Sequence, residues 1–440
     1  MTIRDAPPDD LIGIGFGPSN LALAIALDEH GRGASARRDE PLRYRFIERQ
    51  PRFTWHGGML LPGSDMQISF LKDLVMQRDP TSPLTFVNYL HSQGRLEDFI
   101  NLGTFYPSRI EFNDYLRWVA ERFADRCCYG ETVIAVEPEE TGEAGRIEVL
   151  LVRTRDADGR ERTRRTYNLV VAIGGTPHIP AVFAEAIREP RVFHSSHYLD
   201  RLGDRSRLAT LRLDEESAHV AVIGGGQSAV EISYDLHERF KHLKIDLIFR
   251  GHALKPSDSS PFVNEIFNPE YTDFIYGQSD ERRDVIVRNF RNTNYAVIDP
   301  DLLHALYAIV YRQKVSGTER LRLLPRRHIE QVARSPDRIS LRTTDHFAST
   351  NGTTGYNCVI LATGYERNAH RDLLEPLNKH IKSSTIRRDY CLEAQPKFAP
   401  RIYMQGYSEI SHGLSDTLIS VLSMRSQEIV DSLTSMPVER

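Results

Sequence analysis

The sequence predicts an α/β fold with two Rossmann-like units, because one local pattern occurs twice: an apolar strand end, a turn of glycines, then a run with helical spacing. The first copy is Leu11-Ile-Gly-Ile-Gly-Phe-Gly-Pro-Ser-Asn20 running into the alanine-rich segment Leu21 to Leu27, and the second is Val220-Ala-Val-Ile-Gly-Gly-Gly-Gln-Ser-Ala-Val230. That order of elements suits a dinucleotide pyrophosphate, since glycine lets backbone approach the phosphates and the helix N-terminus faces their charge. Two such turns in one chain read best as two dinucleotides, and the usual reason to hold two is to pass a hydride from a nicotinamide to a flavin. The third observation is a stretch rich in Asn and Ser after the second copy, about 253–325, read as a mostly helical insertion that binds a small substrate.

In the first unit, Gly13 is expected to permit the tight turn and Gly15 and Gly17 the close approach, with Pro18 where a third small residue usually sits. Leu42 to Ile47 alternates like a strand and closes on Glu48, 31 residues past Gly17. An acid there is placed to accept hydrogen bonds from ribose hydroxyls, a solvated charge being the plainer alternative, and the long spacing makes Gly31 to Glu40 an excursion. Trp55-His56 follows where the chain reaches the redox end of a cofactor, which favours flavin stacking over simple packing. Gln67 and Lys72 flank the apolar Ile68, Phe70 and Leu71. A lysine in that setting needs a partner, either a substrate carboxylate or a protein one such as Asp73 or Asp65. Residues 84–125 have helical spacing. Strands resume at 131–136 and 146–153 with a turn at 156–159, and Asn168 to Gly175 reads as a buried parallel strand returning to the cofactor.

Between the turns, His194 and His197 stand at i, i+3, but no carboxylate or cysteine joins them, so a metal is not expected. In the second unit Gly224, Gly226 and Ala229 fit G-x-G-x-x-A, and the strand Lys244 to Phe249 closes on Arg250, 24 residues after Gly226. An acid there would favour the free 2′-hydroxyl of NAD; an arginine pairs with the 2′-phosphate of NADPH. Asn264 and Asn294 in the insertion can each donate and accept, which suits the amino and carboxylate groups of an amino acid. The run Asn357 to Tyr365 is read as the return to the first sheet, and 411–420 as the start of a C-terminal helix capped by Asp416, its N-terminus toward an anionic flavin. The domain reading is therefore a discontinuous flavin domain, 1–205 and 356–440, and a nicotinamide domain, 206–355.

The 440 residues suffice for two or three domains, and a net charge of −4 offers no basic field for nucleic acid. The four cysteines form no C-x-x-C, which argues against a disulfide reductase, a zinc site and a disulfide-stapled secreted fold. No stretch approaches the roughly 18 apolar residues of a membrane span, and Asp5, Asp9 and Asp10 stand where a signal peptide needs positive charge. A cytoplasmic location is expected.

Seven motifs together carry a resemblance over nearly the full chain: Gly-Phe-Gly-Pro-Ser-Asn (15–20), Gln-Ile-Ser-Phe-Leu-Lys-Asp-Leu (67–74), Asn-Leu-Gly-Thr-Phe-Tyr-Pro (101–107), Gly-Gly-Gly-Gln-Ser-Ala (224–229), Ser-Pro-Phe-Val-Asn-Glu (260–265), Ala-Thr-Gly-Tyr-Glu-Arg (362–367) and Ser-His-Gly-Leu-Ser-Asp-Thr-Leu (411–418). With them the chain resembles the flavin-dependent N-hydroxylating monooxygenases that act on ornithine and lysine, most closely the ornithine branch of hydroxamate siderophore biosynthesis. The resemblance implies that Gly13, Gly15, Gly17, Pro18, Ser19, Asn20, Glu48 to His56 (Trp55 included), Gln67, Val133, Thr417, Leu418 and Ile419 hold FAD. It also implies that Gly225, Gly226, Gln227, Ser228, Arg250, Asn294, Tyr295 and Ala296 hold NADPH. Lys72, Asn264, Asn294 and Ser420 would bind L-ornithine, with Asn294 and Gln67 nearest the chemistry. Ala296 stands where near relatives carry serine, and Ile419 where they carry leucine. The implied activity is N-hydroxylation of the ornithine side-chain amine by O2 through a C4a-hydroperoxyflavin, giving N5-hydroxyornithine. Lysine or a diamine as substrate, an NADPH:acceptor flavin reductase and a nucleotide-sensing protein are the rival readings. A homo-oligomer, tetramer or dimer, is compatible with the chain.

Overall fold

A computed structural model describes residues 7–32, 42–140, 145–345 and 347–435; beyond Arg32, the excursion expected at 31–40 lies outside them. The first unit opens with β1 (Leu11–Ile14), α1 (Pro18–Arg32) and β2 (Tyr44–Glu48), then α2 (Phe86–Ser92), α3 (Leu96–Leu102) and α4 (Arg109–Glu121). It continues through β3 (Cys127–Tyr129), β4 (Glu131–Glu140), β5 (Ile147–Asp156), β6 (Glu161–Thr166) and β7 (Asn168–Val171). After β8 (Thr176–Pro177) come β9 (Val192–His194), α5 (Tyr198–Leu202), α6 (Arg205–Leu211), β10 (His219–Ile223), α7 (Gln227–Arg239) and β11 (Lys244–Ile248). The insertion is helical as expected, with α8 (Pro261–Asn264), α9 (Pro269–Tyr276), α10 (Asp280–Phe290) and α11 (Pro300–Ser316). Then follow β12 (Leu321–Leu324), β13 (Arg327–Arg334), β14 (Ile339–Asp345), β15 (Thr350–Tyr356), β16 (Cys358–Leu361) and β17 (Tyr365–Glu366). The chain ends with α12 (Ala369–Leu373), β18 (Ile381–Ile386), β19 (Leu392–Ala394), β20 (Arg401–Met404), α13 (Glu409–His412) and α14 (Leu422–Thr434).

Two five-stranded sheets form the frame, ordered β20-β7-β1-β2-β3 and β12-β11-β10-β16-β9, with every neighbour parallel. Covered on both faces, parallel strands must be apolar throughout, and β1 and β16 are buried at every residue. Each sheet is accompanied by a three-stranded antiparallel meander, β4-β5-β6 in one unit and β13-β14-β15 in the other. Helix α1 buries Leu21 to Leu27 in the same core as Leu422, Ile429, Val430 and Leu433 of α14, so the two ends of the chain build one wall.

Three expectations are corrected. The apolar run after Asn357 does not rejoin the first sheet: β16 lies between β10 and β9, with Val220 opposite Cys358. The second sheet therefore spans Val192 to Leu361, and the boundaries at 205 and 356 both fall inside it. The C-terminal helix begins at Leu422 rather than near Ser411; residues 411–421 break into short turns, and Asp416 does not cap α14. Its carboxylate is instead buried against Arg425.

The two crossings between the units pair with each other. β8 runs antiparallel to β17, with Pro177 opposite Tyr365. His178 N donates to the Gly364 carbonyl at 2.9 Å, and Thr363 Oγ1 to the His178 carbonyl at 2.5 Å. His194 shares the Gly364 carbonyl through Nε2 at 3.0 Å, and burial lowers its imidazole to about 4, so it is neutral at ordinary pH.

Candidate active site

At the end of β1, Gly15 takes φ +83°, and a Cβ there would stand 2.5 Å from the Ala172 carbonyl oxygen, so no other residue fits. The tight turn thus falls on Gly15. Gly13 lies within β1, where a side chain would strike the Phe46 ring. Asn20, expected to contact the cofactor, is fully buried behind the turn. Its Nδ2 donates to the Gly15 carbonyl at 2.6 Å, and its Oδ1 accepts from Gln405 Nε2 at 2.9 Å. Glu48 is buried at the end of β2, accepting from Phe16 N at 2.8 Å and from Gln50 N at 2.9 Å.

These elements surround a cavity of about 1430 Å³, whose wall brings together Gly15, Gly17, Pro18, Ser19, Glu48, Trp55, His56, Val133, Thr417, Leu418 and Ile419. Drug-sized sites run to about 1,000 Å³, so this one has room for an extended dinucleotide. Nothing crowds the Cα of Gly17 at the start of α1, which leaves backbone free to meet a phosphate. Trp55 N donates to Asn113 Oδ1 at 2.9 Å, and the indole meets the His56 ring at 4.7 Å and Phe112 at 6.0 Å. His56 has φ +52° and is exposed to the cavity; the protein packed around it, then Arg109 and Arg367, push its imidazole down to about 4. It faces the cavity uncharged at neutral pH. Arg367 and Gln405 also line the wall, unforeseen from sequence, although Arg367 closes the motif at 362–367.

The second turn repeats the first. Gly224 takes φ +148°, and a side chain there would run into the Ala362 carbonyl. Gly225 packs on Phe249, and Gly226 precedes α7, which begins with Gln227 and Ser228. Ala296 adopts a left-handed φ of +56°, and its Cα would lie 3.4 Å from a Cβ on Gly226, so the 294–296 segment rests on the turn. The Tyr295 hydroxyl donates to Glu409, and Arg291 lies over the Tyr295 ring at 5.3 Å. Arg250 is exposed two residues beyond β11.

Gln67 is not on the cavity wall; its Nε2 donates across the seam between the units to Gln227 Oε1 at 3.2 Å. Lys72 is half-buried, and burial holds its ammonium below the ordinary lysine range. Asp73 does not pair with it: that carboxylate accepts from Val75 N at 2.8 Å and from Met76 N and Phe86 N at 2.7 Å. Ser420 is buried with no hydrogen-bond partner for its Oγ. Asn264 and Asn294 are both half-buried, and Asn264 Nδ2 donates to the Ser259 carbonyl at 3.0 Å. Among the described residues no hydrogen bond or ion pair joins Lys72, Asn264, Asn294 and Ser420, and none of the four lines the cavity. Among the described residues no three His, Cys, Asp or Glu gather as metal ligands, and no helix is long and apolar enough to cross a membrane.

The L-ornithine N(5)-monooxygenase of Pseudomonas aeruginosa is 48% identical over 424 residues, covering 96% of this chain and 93% of its own. The solved ornithine hydroxylase PvdA from that organism superposes with a TM-score of 0.90 at 47% identity, over 97% of this chain and 99% of PvdA. An ornithine N-hydroxylase from Kutzneria sp. 744, described with reduced FAD, NADP+ and L-orn, gives 0.87 at 35% identity, over 98% and 99%. Residues 8–367 match the family described as L-lysine 6-monooxygenase/L-ornithine 5-monooxygenase, and the chain belongs to it.

Proposed function

We propose that the chain hydroxylates the side-chain amine of L-ornithine with O2, using FAD and NADPH, and releases N5-hydroxyornithine in the cytoplasm for hydroxamate siderophore assembly. The observation that carries this reading is the large cavity on the first glycine turn beside a second turn of the same build. FAD reduced by NADPH supplies the activation of O2, chemistry that side chains do not provide. The chain's own residues bind and orient. Backbone at Gly15 to Ser19 and the start of α1 meet the pyrophosphate, Glu48 takes the ribose, and Trp55 and neutral His56 bound the redox end. Arg250 is free to pair with a 2′-phosphate. Lys72, half-buried with no ion pair among the described residues, is suited to the α-carboxylate of an amino acid. Asn264, Asn294 and the unpartnered Ser420 hydroxyl serve its remaining polar groups, with Asn294 and Gln67 near the reacting end.

Supplying NADPH, O2 and ornithine and assaying hydroxylamine tests the reading; NADPH consumption that yields only H2O2 overturns it. Lysine and a diamine run in parallel decide the substrate. Lys72→Ala should raise the ornithine KM about ten- to a hundredfold, the cost of one charged hydrogen-bonding partner, with flavin content unchanged. A diamine hydroxylase would be indifferent to that change.

A further inference from the structure

Arg425 is 1% exposed, a rare place for a guanidinium, and it lies on α14 rather than on either glycine turn. Its donors are nearly all used. Nη1 donates to Asp416 Oδ1 at 2.9 Å and to the Asp416 carbonyl at 2.7 Å, Nε to Gln405 Oε1 at 3.2 Å, and Nη2 to Ser19 Oγ at 3.1 Å. Each partner leads to the cavity. Ser19, Gln405 and Asp416 are themselves on its wall; Gln405 passes the contact to Asn20, which holds the Gly15 carbonyl, and Asp416 Oδ2 accepts from Ser408 N at 2.6 Å. Tyr390 closes the far side, its ring centre 5.7 Å from the guanidinium carbon. A planar fork of donors fixed at one point thus registers two walls built from opposite ends of the chain.

We propose that Arg425 is a positioning residue for the first dinucleotide site, setting the glycine turn at 15–20 and the 416–419 segment at the spacing that grips FAD. This rests on FAD being the occupant of that cavity. Removing Arg425 alone would strand the buried Asp416 carboxylate, so the test pairs Arg425→Met with Asp416→Asn and adds Arg425→Lys, which keeps the charge but loses the fork. FAD is titrated into the apo-proteins by fluorescence quenching, with the melting temperature of each apo-protein and binding of 2′,5′-ADP to the second turn as controls. The expected result is FAD affinity lowered about ten- to a hundredfold in the double variant, as the loss of charged hydrogen bonds implies, and less in Arg425→Lys, with both controls held. Equal FAD affinity in all proteins overturns the inference, as does a parallel fall of melting temperature and 2′,5′-ADP binding, which marks a residue that only stabilises the fold. Wild-type protein that takes up no FAD overturns the functional reading and this inference with it.

Discussion

The two glycine turns are built alike and finished differently. Gly15 and Gly224 both press against the carbonyl of the residue just after the crossover strand, Ala172 in one unit and Ala362 in the other. The residue closing the second strand differs. Glu48 is buried and bonded to the first turn's own backbone, whereas Arg250 stands exposed. The first turn is held by the acid that ends its own second strand, whereas the second leaves its arginine in solvent. The cores differ too. One residue before the pair of Gly13 with Phe46, Ile12 stands opposite the half-buried Arg45; the equivalent pair in the second sheet is Ala221 with Asp246, a carboxylate that is fully buried.

The sharpest way to break the comparison is at the glycines. Gly15→Ala places a Cβ against a carbonyl in a left-handed conformation, so the purified protein should be colourless and refuse FAD. Gly224→Ala should leave it yellow and reducible by dithionite but no longer by NADPH. A smaller effect is expected at the strand ends. Arg250→Ser should raise the NADPH KM about ten- to a hundredfold, the cost of a charged phosphate contact, with FAD content and the NADH KM unchanged; an equal loss for NADH would deny Arg250 its 2′-phosphate role. The smallest effect concerns acid. Burial alone would raise the Asp246 carboxyl, but His219, Arg322 and Tyr356 bring it down from 3.8 to about 2. A carboxyl lowered in the folded state stabilises fully above its unfolded value, so this contribution is present above 3.8 and is lost as pH falls from there through about 2. Hydrogen exchange in that window should open β10 and β11 before β1 and β2, and Asp246→Asn should remove the pH dependence of that order.

Local pattern made much of this legible. Both turns, the strands ending at Glu48 and Ile248, the helices between 86 and 121 and the helical insertion follow from glycine placement and from periods of 2 and 3.6. Pairing partners were less so. The runs at 168–171 and 358–361 are both apolar and both end in Ala-x-Gly, and only contact with Val220, distant in sequence, assigns the second to its sheet. Of the site, many residues singled out from sequence between Gly15 and Ile419 stand on the cavity wall, whereas Arg367, Gln405 and the support behind the wall were not legible. Asn20, expected at the ligand, is buried and holds the Gly15 carbonyl, and nothing local marks Arg425, in step with the apolar Leu422 and Ile429, as the centre of a polar network. Buried polar networks are assembled from side chains remote in sequence, and no local period announces them.

The zipped ribbon of β8 and β17 has a mechanical consequence. Two units joined by one strand could part without breaking a bond between their crossings; joined by two strands bonded to each other, they can be drawn apart only by tearing the bonds at His178, Thr363 and Gly364. The ion pair of Arg109 with Glu231 and the bond from Gln67 to Gln227 add to that resistance, so the span between the two glycine turns is set by the fold rather than left to the linkers.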